Sequence, residues 1–147
     1  MSVLFVVAMM IGADHHRQVD VRHDAATGVA HAHSVHHFEL AARGGNIRLE
    51  VTDPKDAAGR DRIRTHLATI ARDFAQGRFD LPTRIHDQTP PGVQSMQRLM
   101  SAIRYRYAPT PRGGRVEIRT ESAEALAAIH EFLRFQIDEH RTEDRSF

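Results

Sequence analysis

The chain has 147 residues, of which 41% are hydrophobic and 27% are charged, and its formal net charge is +1 at pH 7. This length and composition predict a globular protein with one domain and a core of its own, not a disordered chain. The small net charge and the lack of any run of like charges argue against nucleic acids and anionic membrane surfaces as partners. Because there is no cysteine, any metal ion must be bound through nitrogen, oxygen or methionine sulfur.

The first thirteen residues resemble the start of an exported protein. Nine consecutive apolar residues at 3–11 are followed by glycine and alanine, and Asp14 then begins a polar stretch. This pattern predicts a signal peptide over residues 1–13, and therefore a periplasmic or secreted mature protein. The apolar run is too short for a transmembrane helix, so we expect no stable membrane span in the mature form. No basic residue precedes the run, and a buried N-terminal strand is the alternative.

Residues 14–35 are rich in histidine, alanine and aspartate and show neither helical nor strand periodicity. We therefore expect a flexible or loosely docked arm. If cleavage follows Ala13, the mature chain begins Asp14-His15-His16. An amine, two amides and the imidazole at the third position can bind Cu(II) or Ni(II) in a square plane. The alternative is that these histidines are solvated and bind nothing.

A regular pattern begins at His36 and predicts a β-hairpin followed by a helix. Phe38 and Leu40 alternate with polar residues, the glycines at 44–45 predict a turn, and residues 47–51 alternate again. For the helix that follows, Asp53 and Pro54 are predicted as the N-cap and the first residue, with Gly77 near its end. Its apolar stripe at helical spacing consists of Ile63, Leu67, Ile70 and Phe74.

The same order recurs after a predicted connector at 78–91 and a short helix from residue 93. Residues 113–122 read GGRVEIRTES and match GGNIRLEVTD at 44–53, and a second amphipathic helix follows. This repetition predicts two ββα units. The expected fold is α+β, a single domain over residues 36–143 in which both hairpins form one antiparallel sheet with the two long helices on one face.

Eleven histidines supply the candidate metal ligands. On a strand, His31 and His33 would share one face, His36 would point into the core with Phe38, and His37 would point outward. The helical histidines His66, His130 and His140 lie on or beside the apolar stripes. We expect His66 and His130 to approach His36, with His86 of the connector as a fourth ligand. The alternative is that these are core or interface histidines hydrogen-bonded to the backbone.

Three stretches resemble those of a small group of exported bacterial proteins of unassigned function. They are HHFEL at 36–40, PPGVQSMQRL at 90–99 and AIHEFLRFQIDEHRT at 128–142, and the resemblance covers residues 19–143. In that group a Met-Gly-Phe triplet precedes the double histidine, where this chain has residues 27–29, Thr-Gly-Val. The resemblance implies export and a single domain, and places His36, His37 and His130 at motif positions. It implies no reaction.

The leading hypothesis is a periplasmic or secreted protein that binds a metal ion, most plausibly copper, with nickel or zinc as alternatives, for sequestration or delivery. The second hypothesis is a module or enzyme that binds a small molecule or haem in a histidine-lined pocket between sheet and helices. A third is a structural homodimer whose partner face includes Phe132 and Phe135. No catalytic motif is present, so catalysis stays open. The candidate ligands are His36, His37, His66, His86 and His130 in the folded domain, and His15, His16, His31 and His33 in the arm.

Overall fold

The computed structural model describes residues 3–144, with side chains described from residue 12 onward. The helices are α1 (Val3–Thr27), α2 (Ala57–Ala75), α3 (Asp80–His86), α4 (Val93–Arg98) and α5 (Ala123–Glu139). The strands are β1 (Ser34–Ala41), β2 (Gly44–Val51), β3 (Ile103–Thr110) and β4 (Gly113–Thr120). Short 3-10 turns precede β1 at His31–His33 and β3 at Met100–Ala102.

The four strands form one antiparallel sheet in the order β1-β2-β4-β3. The second strand of each hairpin lies at the centre, where Ile47 of β2 faces Val116 of β4. These two residues occupy equivalent positions in the two sequence repeats. Helix α2 packs mainly over β3 and β4, and α5 packs over β1 and β2. The predicted α+β fold, with two ββα units and two long helices on one face of the sheet, is confirmed.

The paired glycines serve close packing and do not form the hairpin turns. The turns are made by residues 42–43 and 111–112, whereas Gly44 and Gly45 already belong to β2. A Cβ atom on Gly45 would lie 2.3 Å from Leu133 Cδ1 and 2.4 Å from the backbone oxygen of Glu39. The predicted turn at 44–45 was therefore wrong by two residues, because the glycines are needed where α5 meets the sheet.

Helix α2 begins later than predicted. Its N-cap is Asp56, whose carboxylate accepts a hydrogen bond from the Gly59 amide at 2.8 Å. Asp53 instead accepts from the Lys55 amide at 2.9 Å and so belongs to the preceding turn. Either aspartate can cap a helix, and the hydrogen bonds select the second. The predicted connector also contains a helix, α3.

The segment that we expected to be an irregular arm is helical up to Thr27, as the second half of α1. The missing periodicity has a physical reason, because only Val19, His23 and Thr27 are buried among the helix's described side chains, and two of these are polar. The placement of His31 and His33 on a strand was wrong, since they lie in a 3-10 turn.

The proposed partner face on α5 is partly internal. Phe132 is 1% exposed and lies in the core, in edge-on contact with Phe74 and Phe79, so its assignment to an exposed face was wrong. Phe135 is half-buried and its ring contacts His86. Among the described residues, no helix has the length and apolar character needed to cross a membrane.

Candidate metal centre

Five buried histidines from five different parts of the fold meet at one end of the sheet. This histidine cluster surrounds a cavity of about 50 Å³ between the sheet, α1, α2, α3 and the end of α5. The rest of the cavity wall is mostly apolar and includes Phe38, Leu49, Leu67 and Phe132. The cluster consists of His23, His36, His66, His86 and His140.

Each histidine reaches the cavity because of its place in a regular element. In β1, His36 shares its face with Phe38 and therefore points inward. His66 follows Ile63 by three residues on the buried side of α2. His86 is the last residue of α3, and His140 is the C-cap of α5.

The closest contact joins His23 of α1 to His36 of β1. Their Nε2 atoms are 2.9 Å apart, and their ring centres are 4.2 Å apart at an interplanar angle of 73°. A straight N–H···N hydrogen bond between two imidazoles would place the ring centres roughly 5 Å apart. At least one ring is therefore turned away from the line that joins the two nitrogens, and the hydrogen bond is bent.

The other rings surround this pair. The centre of the His140 ring is 5.3 Å from the centres of both His23 and His36. The His66 ring centre is 5.8 Å from that of His23, and the His86 ring centre is 5.2 Å from that of His140. In the described part of the chain, no three side chains of histidine, aspartate or glutamate converge on one point as metal ligands.

Burial keeps the clustered imidazoles neutral. It holds the pKa values of His23, His36 and His140 well below the usual 6.5, and neighbouring histidines lower them further. Burial lowers the pKa of His66 to about 4. The pKa of His86 is also lowered by burial, although hydrogen bonds to Gln136 and Glu139 act against this shift.

Three fully buried ring nitrogens in the cluster have no hydrogen-bond partner among the described residues. They are the buried Nδ1 atoms of His23, His36 and His140. The hydrogen bond between the two Nε2 atoms fixes opposite tautomers for His23 and His36, because one must donate and the other must accept. One Nδ1 of the pair is then a bare acceptor and the other an unused donor. Each such buried group costs on the order of 1–3 kcal/mol of folding stability.

His86 connects the cluster to the protein surface. Its Nε2 lies 2.9 Å from Gln136 Oε1, and its Nδ1 lies 3.4 Å from Glu139 Oε2. The same carboxylate oxygen lies 2.7 Å from Nε2 of His15 on α1. His15 and His86 therefore share one carboxylate at the edge of the cluster.

Three of the nine predicted ligands, His36, His66 and His86, line the cavity. A fourth, His31, does not line it, but its ring stacks on that of His36 with ring centres 5.6 Å apart. His130 lies at the β1–β2 turn, where its Nε2 is 3.0 Å from the carbonyl oxygens of Ala41 and Gly44, and it does not line the cavity. The remaining predicted ligands, none of which lines the cavity, are His37, which pairs with Asp144, and His15, His16 and His33.

Two members of the cluster, His23 and His140, were absent from the predicted set. His140 follows Ile137 by three residues, so the apolar stripe of α5 was a sufficient signal for it. His23 lies four residues after Val19 and four before Thr27, which is helical spacing. Hydrophobic periodicity could not indicate the line of Val19, His23 and Thr27, because only one of these three residues is apolar.

A solvent-facing groove of about 480 Å³ leads to the cluster. It lies between α1 and α2, with Thr27 on one side and Asp61, Thr65 and Thr69 on the other. His66 lines both this groove and the inner cavity. One side of the His66 residue therefore faces the groove, although the residue as a whole is only 9% exposed.

Comparison of the chain with protein-family models, with curated proteins and with solved structures finds no match. The functional argument therefore depends on the chemistry of the histidine cluster.

Proposed function

We propose that this protein binds a transition metal ion through the histidine cluster, with Cu(II) preferred. The observation that carries the proposal is the pair of Nε2 atoms of His23 and His36, 2.9 Å apart and buried. Two nitrogens that each bind an ion at about 2.0–2.1 Å lie about 2.9 Å apart when the N–metal–N angle is about 90°. That angle fits square-planar Cu(II) or Ni(II) better than tetrahedral Zn(II). The bent approach of the rings also suits two ligands that share a third atom.

The protonation state of the cluster favours metal binding. An imidazole binds a metal only as the neutral base, and burial already holds His23, His36 and His140 in that form at neutral pH. An ion would not have to displace a proton from a positively charged histidine. Ligation through Nε2 would also replace the bent hydrogen bond of the pair with two metal–nitrogen bonds.

A third ligand requires a side-chain movement. His140 is the nearest candidate, since its ring centre is equidistant from those of His23 and His36 and its Nδ1 is unpartnered. Rotation about its side-chain bonds would turn a nitrogen towards the pair. His66, at the mouth of the groove, would take part in the entry of the ion.

The size of the cavity favours an ion over the alternative of haem or another small molecule. Pockets for small molecules measure about 300–1,000 Å³, whereas this cavity measures about 50 Å³. That volume accommodates an ion with one or two waters. The apolar wall of the cavity would exclude competing water. We also propose a role in sequestration or delivery of the ion in the periplasm or outside the cell, and this location rests on the N-terminal sequence pattern.

The test is a titration of the full chain with Cu(II), Ni(II) and Zn(II), in which binding is measured by calorimetry and native mass spectrometry. We expect one ion per chain, with Cu(II) bound most tightly, and an electron paramagnetic resonance spectrum split by at least two nitrogens. In the full chain residue 16 is not at the third position, so the amino-terminal chelate cannot form and does not contribute.

The double variant H23Q/H36Q should lose stoichiometric Cu(II) binding. The matched control is H33A, which removes an exposed histidine outside the cavity and should bind like the wild type. Wild-type protein that binds no ion, or stoichiometric binding that survives in H23Q/H36Q, would refute the cluster as the metal site.

A further inference from the structure

We propose that the bound ion fastens α1 to the rest of the domain, so that α1 is a cover closed by metal. This inference rests on the proposed function and adds a regulation of the same site. The cover is residues 12–27, and the body is the sheet with α2, α3, α4 and α5. His23 is the only member of the cluster that the cover supplies, and its closest ring lies on β1 of the body.

The cover has little apolar contact with the body. Its described side chains bury one line, in which Val19 is the apolar member and His23 and Thr27 are polar. In contrast, α5 buries seven side chains, six of them apolar. Since apolar burial is the main favourable term in docking, the described side chains of the cover hold it less firmly than the side chains of α5 hold that helix.

Polar contacts supply the remaining attachment, and most of them lie near the surface. Arg141 donates to Asp20 at 2.6 Å, and Arg22 donates to the Ile85 carbonyl oxygen at 3.2 Å. His15 contacts Glu139 at 2.7 Å. Water can replace partners of this kind at little cost, so these contacts orient the cover without holding it tightly.

Docking of the cover without an ion also carries a free-energy penalty at the contact between His23 and His36. It buries the His23 ring with Nδ1 unpartnered and leaves Nδ1 of His36 unpartnered as well. An ion between His23 and His36 would convert this weak point into the strongest link between the cover and the body. By linkage, an ion that binds only the closed arrangement shifts the population towards it.

In this proposal the cover moves about Gly28, which separates it from the body. Gly28 follows α1 directly with φ +73°, a conformation that other residues rarely adopt. Beyond it, Val29 is buried and fixes the chain to the core. Movement about Gly28 would widen the groove beside His66, which gives the ion a path to the cavity.

The experiment is amide hydrogen exchange on the full chain, with and without Cu(II), and native mass spectrometry of the same samples. At a free ion concentration about ten times the dissociation constant, opening of the cover should fall about tenfold. Without metal, amides of residues 19–27 should exchange faster than those in the centre of α5, because the cover opens without global unfolding. With Cu(II), the amides of residues 19–27 should slow by about that factor.

A surface variant at a residue that does not line the cavity supplies a second test. R141Q removes the ion pair to Asp20, so residues 19–27 should exchange about threefold faster than in the wild type without metal, and Cu(II) should slow them by the same factor as in the wild type. The matched control is R119Q on the open face of the sheet, which should leave exchange in the cover unchanged.

The outcomes separate the two proposals. If mass spectrometry shows bound Cu(II) while exchange in residues 19–27 is unchanged, the cover hypothesis is overturned and the metal site stands. If no ion binds, both proposals fail.

Discussion

The cover and α5 lie on two sides of the same histidine cluster and are held there by different forces. Helix α5 presents a continuous apolar stripe to the sheet and buries Ile129, Phe132, Leu133 and Ile137. The cover is attached by one polar line and several surface contacts. The difference teaches that four of the five clustered histidines lie on elements that pack into the core, whereas His23 lies on a helix that is attached mainly by polar contacts.

The largest predicted effect follows from this contrast. F132A should lower the free energy of unfolding by about 3–5 kcal/mol, because it empties a fully buried position between Phe74 and Phe79. V19A in the cover removes only about two buried methyl groups, about 1–2 kcal/mol of contact. Urea denaturation followed by circular dichroism measures both changes.

The two variants should also differ in which parts of the chain show faster amide hydrogen exchange. V19A should speed exchange throughout residues 19–27 and leave the centre of α5 protected, whereas F132A should speed exchange in all elements. Equal loss of global stability in V19A and F132A would show that docking of the cover contributes as much to the free energy of unfolding as packing of α5.

The second-largest predicted effect is the pH dependence of the folding stability of the metal-free protein. The folded pKa of His66 is about 4 and its unfolded value about 6.5, so the unfolded chain binds a proton that the folded chain does not. Stability is therefore complete above pH 6.5 and falls as the pH drops towards 4, by about 3 kcal/mol from His66 alone. His23, His36 and His140 shift in the same direction and should steepen the loss.

This prediction is checked by urea denaturation at a series of pH values from 7.5 to 4.5. H66Q should show a shallower fall than the wild type, and H33A should follow the wild-type curve. Stability that does not change between pH 7 and 5 would mean that these histidines are not buried in solution.

Much of this architecture was predictable from sequence, and the reason lies in the same contrast. Alternation in β1 and β2 and the stripes of α2 and α5 indicate surfaces that bury apolar groups, so they predicted the sheet, both long helices and an inward His36. The cover buries polar groups, which leave no periodic apolar signal, so the position of His23 was missed. His130 was misplaced because a stripe gives the face of a helix but not which end of the sheet it meets.

A third prediction separates a functional cluster from a structural one. H23L/H36L replaces both members of the closest pair with apolar side chains of similar size, and removes two unpartnered Nδ1 atoms at once. Metal-free stability should stay within about 1 kcal/mol of the wild type or rise, because removing both partners of a buried polar pair is close to neutral. Cu(II) binding should disappear. A loss of more than 3 kcal/mol in denaturation would instead assign the pair a structural role.

The smallest predicted effect concerns the carboxylate that touches both regions. Glu139 Oε2 lies 2.7 Å from Nε2 of His15 in the cover and 3.4 Å from Nδ1 of His86 in the body. E139Q should change global stability by less than about 1 kcal/mol, because the carboxylate is near the surface. Amide hydrogen exchange should become faster at residues 14–18 alone, since the amide side chain no longer attracts His15.

The mutation E139Q also removes a charge that opposes the lowered pKa of His86, so NMR titration should show that the pKa of His86 falls further. A rise in the pKa of His86 would mean that Glu139 does not face it.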